Sequence, residues 1–441
     1  MEALGKTIIF FKGVYDTLDL FTDNLIQAFA DMGYHTFVYD ARLEELSKEQ
    51  LLAMLRDRAG DRSVSNPGSS FTKEQQSESS CAVVTFNNLG YNLDLPDGRN
   101  IWEVYQIPYV DILMDHPFHY GKPLSHMPET AVILCTDRNH VAYIRRFFPN
   151  IKRTGFLPHA GVELGRGFGE KAGGRIGEPG EQPCGRTAEK IVYRKMEDRS
   201  IPVLYAGALP IYTVAKMIPD LSSIPEVDGE DMAQSVLSTL VQHPDRTTES
   251  AIEEYVRSVR SDVPDWRLHE IIVKMRFLDS YATSFFREQA VRLLVESGIP
   301  VLAYGTGWDQ CEWSQNSNLT YGGKVLAPQI LPLMNDARIV LNTMTWFKAG
   351  AHDRIFNGML AGAGVVTDSS TYLKDVFADG EELSMFELSE IDSLPERVHE
   401  LLTHPKRLQE LADCGYEAAR LGHTWKNRAQ EIVRFIYRCH R

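Results

Sequence analysis

The chain has 441 residues, 43% hydrophobic and 24% charged; that is a soluble, globular composition too long for one ordinary core, so two domains are expected. Its 46 Lys and Arg against 60 Asp and Glu leave a net charge of −14. This excludes nucleic acid or an anionic membrane as the main partner, because both demand clustered basic residues. No apolar run reaches the roughly 18 residues of a spanning helix, and the N-terminus leads into a strand rather than a signal peptide. The six cysteines show no Cys-x-x-Cys spacing, which fits free thiols in a reducing cytoplasm.

Along the chain, Thr7–Phe11 reads as a buried strand, Phe21–Met32 as a helix ended by Gly33, Tyr34–Tyr39 as a strand and Leu43–Arg58 as a helix. Strands follow at Cys81–Phe86, Tyr109–Met114 and Ala131–Cys135, then a helix at His140–Phe148. Strands alternating with helices predict parallel pairing through right-handed crossovers. Gly60–Ser80 and the Gly-rich segment at 165–200 interrupt the pattern and read as flexible insertions. The alternation restarts at Ile201–Ala206, passes a helix-rich stretch at 223–275 and resumes with a helix at Ser284–Ser297 and a strand at Ile299–Tyr304. Leu319–Gly322, a helix at Pro328–Asp336, a strand at Ile339–Asn342 and three C-terminal helices complete it. The resulting division is a first domain at 1–164, a linker at 165–200, a second domain at 201–424 and a last helix at 425–441 that crosses back to the first domain.

Two doubly wound domains leave a cleft between the C-terminal edges of their strands, where such sheets bind ligands. Candidate residues should therefore follow strands. Asp115 and His116 do, as candidates for a general base, and so does His159. In the second domain Gly305, Gly307, Trp308 and Lys324 follow strands. The glycines permit close backbone approach, the Trp could stack on a base, and the Lys could meet phosphate. The stretch Gly350–Asp368 is a loop, helix and strand with Arg354 in the helix's first turn and His352 just before it. A helix N-terminus favours anions, and a guanidinium fork suits phosphate oxygens.

The order of these motifs resembles a known family. Gly305-Thr306-Gly307-Trp308, Tyr321-Gly322-Gly323-Lys324-Val325, Leu331–Asn335, Ile339–Asn342, Arg354-Ile355-Phe356 and Gly362 look like the CgeB-like (spore maturation protein type) glycosyltransferases. Asp379–Leu383 and His423–Arg428 are similar to that family's ending, and Leu157–Val162 resembles the segment before its interdomain linker. The resemblance implies a GT-B fold: two Rossmann-like domains facing a central cleft, the second binding a nucleotide-diphosphate sugar and the first an acceptor. That acceptor is a protein, a cell-surface glycan or a small molecule. It implies no cofactor and no bound metal. By the same analogy the diphosphate meets Arg354 and the helix start near His352 and Asp353. Where the family usually carries an acid, this chain has Asn357, which hydrogen-bonds but does not ionise. A non-catalytic sugar-nucleotide or glycan-binding protein and a GT-B epimerase or phosphorylase stay open as alternatives.

Overall fold

Strands buried on both faces must be nearly continuous in apolar residues, and the inner strands of this protein's two sheets are such runs. The computed structural model describes residues 6–59, 81–163, 194–209 and 218–438; the expected insertion at 60–80 lies outside them, as does the one at 165–200 up to residue 193. The first sheet contains β1 (Thr7–Lys12), β2 (His35–Asp40), β3 (Cys81–Phe86), β4 (Tyr109–Leu113), β5 (Ala131–Cys135) and β6 (Thr154–Phe156). The second contains β7 (Ile201–Ala206), β8 (Val301–Tyr304), β9 (Leu319–Tyr321), β10 (Ala337–Asn342), β11 (Gly364–Asp368) and β12 (Ser384–Phe386). Every strand pair is parallel. The orders are β2-β1-β3-β4-β5-β6 and β12-β11-β10-β7-β8-β9. These are two doubly wound α/β domains, the architecture expected from the sequence.

Several boundaries differ from the sequence reading. The first helix spans Asp16–Asp31, starting five residues before the expected Phe21, because Leu18 and Leu20 are buried along with the later apolar positions. The helix expected from Ser284 runs Phe277–Glu296; Phe277, Leu278 and Ala282 continue its buried side. β8 begins at Val301, past Pro300, which has no N–H to give a sheet. The short helices Ile101–Val104, Gly121–Ser125 and Thr371–Val376 and the edge strand β12 are additional to the sequence reading.

The helix-rich stretch resolves into Gly229–Gln242, Thr248–Val259 and Asp265–Met275. It lies between β7 and β8 in sequence but packs on the first domain. Met232, Leu268 and Ile272 share one apolar core with Tyr143 and Phe148 of the Arg138–Phe147 helix region. Arg146 bridges Glu253 at 2.6 Å and Asp265 at 2.9 Å, and the His269 ring stacks on Phe147 at 4.9 Å. The final helix, Trp425–Arg438, packs on the Asp16–Asp31 helix, with Trp425 and Phe21 ring centres 4.9 Å apart. The domains are thus joined on two sides. No helix among the described residues is long and apolar enough to cross a membrane.

Candidate active site

β7 and β10 lie side by side, but the chain after β7 leads towards β8 and the chain after β10 towards β11. Such a switch point opens a crevice past the strand ends. Arg354, in the first turn of the helix Asp353–Leu360, extends into this crevice and is only 6% exposed. Its Nη1 donates to Ala206 O at the end of β7. Its Nη2 donates to Thr343 O just past β10, at 3.4 Å. The group also lies 5.7 Å over the Tyr205 ring. Gly207 makes room for it, since a Cβ there would sit 2.5 Å from Arg354 Nη1.

His352 precedes this helix. Its Nδ1 is 2.6 Å from Asp353 Oδ1 and 3.2 Å from both N and Nε of Arg354. The shorter contact requires a proton on Nδ1, so the ring donates to the carboxylate. Burial and then Arg354 lower the His352 pKa. Burial would raise the Asp353 pKa, but His352, His159 and Arg354 outweigh it and hold the carboxylate ionised.

His159, in the loop after β6, brings the first domain to the same place. Its ring faces that of His352 at 5.8 Å and 19°. Burial pushes its pKa down to about 4 despite Asp353 and Asp115, so the imidazole is neutral, and its Nδ1 has no hydrogen-bond partner. Asp115, whose charge reaches His159, is exposed past the end of β4. Its Oδ2 accepts from Tyr120 Oη at 2.7 Å and Asn87 Nδ2 at 3.2 Å. Asn357 also connects the domains: its Oδ1 accepts from Val162 N at 2.8 Å and its Nδ2 donates to Asp353 Oδ2 at 3.0 Å. Asp115, His159, His352, Arg354 and Asn357 therefore line one junction.

The other sequence candidates sit elsewhere. His116 is a buried core side chain. Its ring stacks on Phe118 at 3.7 Å, its Nδ1 accepts from Phe118 N, and its Nε2 faces Glu249 at 3.4 Å. Burial lowers its pKa well below the usual imidazole range. Trp308 is fully buried with Nε1 on Gly207 O at 2.8 Å, so it fills the second domain's core rather than offering a face to a base. Gly305 has φ 120°, and a Cβ there would lie 2.5 Å from the Gly207 backbone. Gly307 is likewise pressed against Leu209 O. Both glycines serve the β7–β8 loop contact, a close approach of backbone to backbone rather than to a ligand. Lys324 is exposed in the loop after β9.

Two basic residues at the crevice escaped the sequence reading. Arg287, in the middle of the helix Phe277–Glu296, is 8% exposed. Its Nη1 donates to Ala208 O, its Nε has no partner, and it lies 5.3 Å over the Trp346 ring. Lys348 donates to Pro244 O; burial lowers its pKa against the pull of Asp368, Asp279, Asp245 and Asp137. Asp368 is buried and its pKa is pushed up to about 6, by burial. Among the described residues no group of three His, Cys, Asp or Glu is placed to hold a metal ion.

Residues 283–434 match the glycosyl transferase-like family. That span is about a third of the chain and contains Arg287, Lys348, His352, Arg354 and Asn357. Among solved structures, the chain is similar to sucrose-phosphate synthase from Thermosynechococcus elongatus, at 11% identity, 98% coverage of each chain and a TM-score of 0.49. It is similar at the same values to AviGT4, a glycosyltransferase involved in avilamycin A biosynthesis. Anabaena HepE in complex with UDP-glucose gives 9% identity, 98% of this chain, 99% of that one and a TM-score of 0.46. No curated protein matches the chain.

Proposed function

We propose that this protein is a CgeB-like, metal-independent glycosyltransferase that moves a sugar from a nucleoside diphosphate to an acceptor hydroxyl. The observation that carries this reading is Arg354. It is a buried cation at the switch point of the second domain, bound to carbonyl oxygens and not to a carboxylate. Burying a charge is costly, and this guanidinium makes no direct ion pair among the described residues, so its place at a helix start in a crevice favours an anionic ligand. The glycosyl transferase-like match over residues 283–434 supports the same assignment. The buried thiols of Cys81, Cys135 and Cys311, none of them in a disulfide, support a cytoplasmic setting.

In the proposed reaction the acceptor oxygen forms a bond to the anomeric carbon as the bond from that carbon to the phosphate oxygen breaks. Arg354 and the helix N-terminus stabilise the charge that gathers on the departing diphosphate. If the configuration inverts, the acceptor proton goes to His159, which is neutral and has a free Nδ1, or to the exposed Asp115 carboxylate. If it is retained, neither base is required. The acceptor, whether protein, glycan or small molecule, would lie against the Asp115 edge of the first domain.

The test is a panel of UDP-, GDP- and dTDP-sugars in EDTA, read by thermal shift and nucleotide release. At least one should raise the melting temperature, and Arg354→Ala should weaken that donor's binding at least about tenfold. No shift with any donor, or full affinity in the variant, would remove the reading. A shift in which no acceptor elicits nucleotide release would point instead to a binding protein.

A further inference from the structure

The helix Phe277–Glu296 delivers a second guanidinium beside Arg354. Arg287 and Arg354 approach the crevice from different elements, and each spends one Nη on a carbonyl of the same short segment, Ala208 O and Ala206 O. They are close enough to interact: burial lowers the Arg287 pKa and Arg354 adds to this, against the opposing pull of Tyr205 and Asp368. Neither forms an ion pair with a described carboxylate, and Arg287 Nε has no acceptor at all. Lys348 shares Asp368 with Arg287 and is opposed as well by Asp279, Asp245 and Asp137. The crevice therefore holds two buried guanidiniums that make no direct ion pair among the described residues; Asp368 acts on Arg287 and Asp353 on Arg354 only through space. Two buried like charges side by side are unfavourable to the empty fold.

We propose that Arg287 and Arg354 form a two-arginine clamp for the two phosphates of the donor, selecting a nucleoside diphosphate whose sugar is uncharged. This rests on the donor-site reading above and adds a residue and a charge rule to it. The pyrophosphate bridge of a sugar nucleotide carries one negative charge on each phosphate, matching the two cations. A monophosphate leaves one guanidinium buried and unpaired. A uronic acid sugar brings a third negative charge for which the crevice has no free cation among the described residues. Arg287 Nε, unused in the structure, supplies a donor for the added phosphate oxygen.

Arg287→Met keeps the length and the contact with Trp346 while removing the charge. Because the arginine is a buried cation with no direct ion pair among the described residues and an unpartnered Nε, this variant should melt at or above the wild-type temperature without ligand. In binding assays with UDP, GDP and dTDP and their monophosphates, wild type should prefer the diphosphate of its base at least about tenfold. Arg287→Met should reduce that preference to within about threefold by weakening the diphosphate. UDP-glucose should bind more tightly than UDP-glucuronate, or the corresponding pair for the preferred base. An unchanged diphosphate preference in a folded Arg287→Met protein overturns the clamp, as does equal or tighter binding of the uronate. Should the variant fail to fold, Arg287→Lys keeps the charge but loses the fork, and the same ratio is read on it. Should no nucleotide bind wild type, the donor-site reading fails by itself. Inorganic pyrophosphate then tests the clamp directly: Arg287-dependent binding upholds it and no binding overturns it.

Discussion

Asn357→Asp replaces an amide nitrogen by a carboxylate oxygen with almost no change of shape, at the point where the two domains meet. The introduced group can still accept from Val162 N, 2.8 Å away in the native protein. What changes is the other side, where Asn357 Nδ2 donates to Asp353 Oδ2 at 3.0 Å. Two carboxylate charges about 4 Å apart repel by ~4 kcal/mol at an effective dielectric near 20, equivalent to about three pKa units. His352, His159 and Arg354 hold Asp353 ionised, so the introduced carboxyl takes the shift. Its folded pKa then stands near ~7 against ~3.9 unfolded. A carboxyl raised in the fold costs nothing below its unfolded pKa and costs most above its folded pKa. Asn357→Asp should therefore be destabilised by about 4 kcal/mol at pH 8.5 and by about 1.5 kcal/mol at pH 5. Urea unfolding at both pH values measures this. Asn357→Ala, which loses both hydrogen bonds, should show a deficit of about 1–3 kcal/mol that does not close with acid. Native-like stability of Asn357→Asp at pH 8.5, or a deficit of the same size at pH 5, would refute the junction described here.

Gly207→Ala tests how Arg354 is housed. The new methyl would meet the far end of that side chain at 2.5 Å and the edge of the Tyr205 ring at 3.2 Å, both side chains rather than backbone, so the protein should fold with a melting temperature close to wild type while diphosphate affinity falls about tenfold; titration calorimetry reads it, and unchanged affinity would show that the guanidinium is not held there. Asp111 lies buried in β4 with its Oδ2 unpartnered, and burial pushes its pKa up to about 7. Wild-type stability from this group is lost as pH rises through about 7, so Asp111→Asn should be the more stable protein at pH 8 by a few kcal/mol, ~4 at most, with the gap closing by about pH 4. Melting curves over that range decide it, and an asparagine variant less stable at pH 8 would contradict the assignment.

The sequence made the two sheets legible because parallel strands are continuous apolar runs, and each run falls in the element expected of it. Arg354 was legible for a local reason, its position in the first turn of a helix after a strand and loop. Its neighbour Arg287 carried a different signal. It stands on the buried side of its helix, four residues after Thr283 and three and four before Ala290 and Val291, all buried. A charged residue within an apolar helical stripe is the sequence trace of a functional cation, and it was hidden because the helix was expected to begin at Ser284, within one turn of Arg287. His116 shows the opposite limit. Asp115 and His116 both follow β4, but adjacent residues of an extended chain point to opposite sides. Only the packing of the Thr248–Val259 helix, which brings Glu249 to His116, shows which of the two is turned inward. That helix lies more than a hundred residues away, so no local pattern could have revealed it.

The polypeptide passes between the domains at places that share one set of contacts, and this ties cleft geometry to site chemistry. Gly161 N donates to His423 O at 2.9 Å, joining the chain leaving the first domain to the chain returning to it. Arg428, 2% exposed, donates to His159 O at 3.2 Å and Gly422 O at 2.9 Å. Gly161 also lies so close to the helix Asp353–Leu360 that a Cβ would fall 2.6 Å from the Phe356 carbonyl carbon. The helix that aims Arg354 at the crevice is therefore pressed against the strap that carries His159. Moving one domain against the other must slide that contact, break the Val162–Asn357 hydrogen bond or bend the strap. Each of these displaces His159 from His352. Opening of the cleft and disassembly of the site are in this way one event, with Asn357 as the side chain that reports it to Asp353. An amide suits that position because it accepts from one domain and donates to the carboxylate of the other, which an ionised acid does not do.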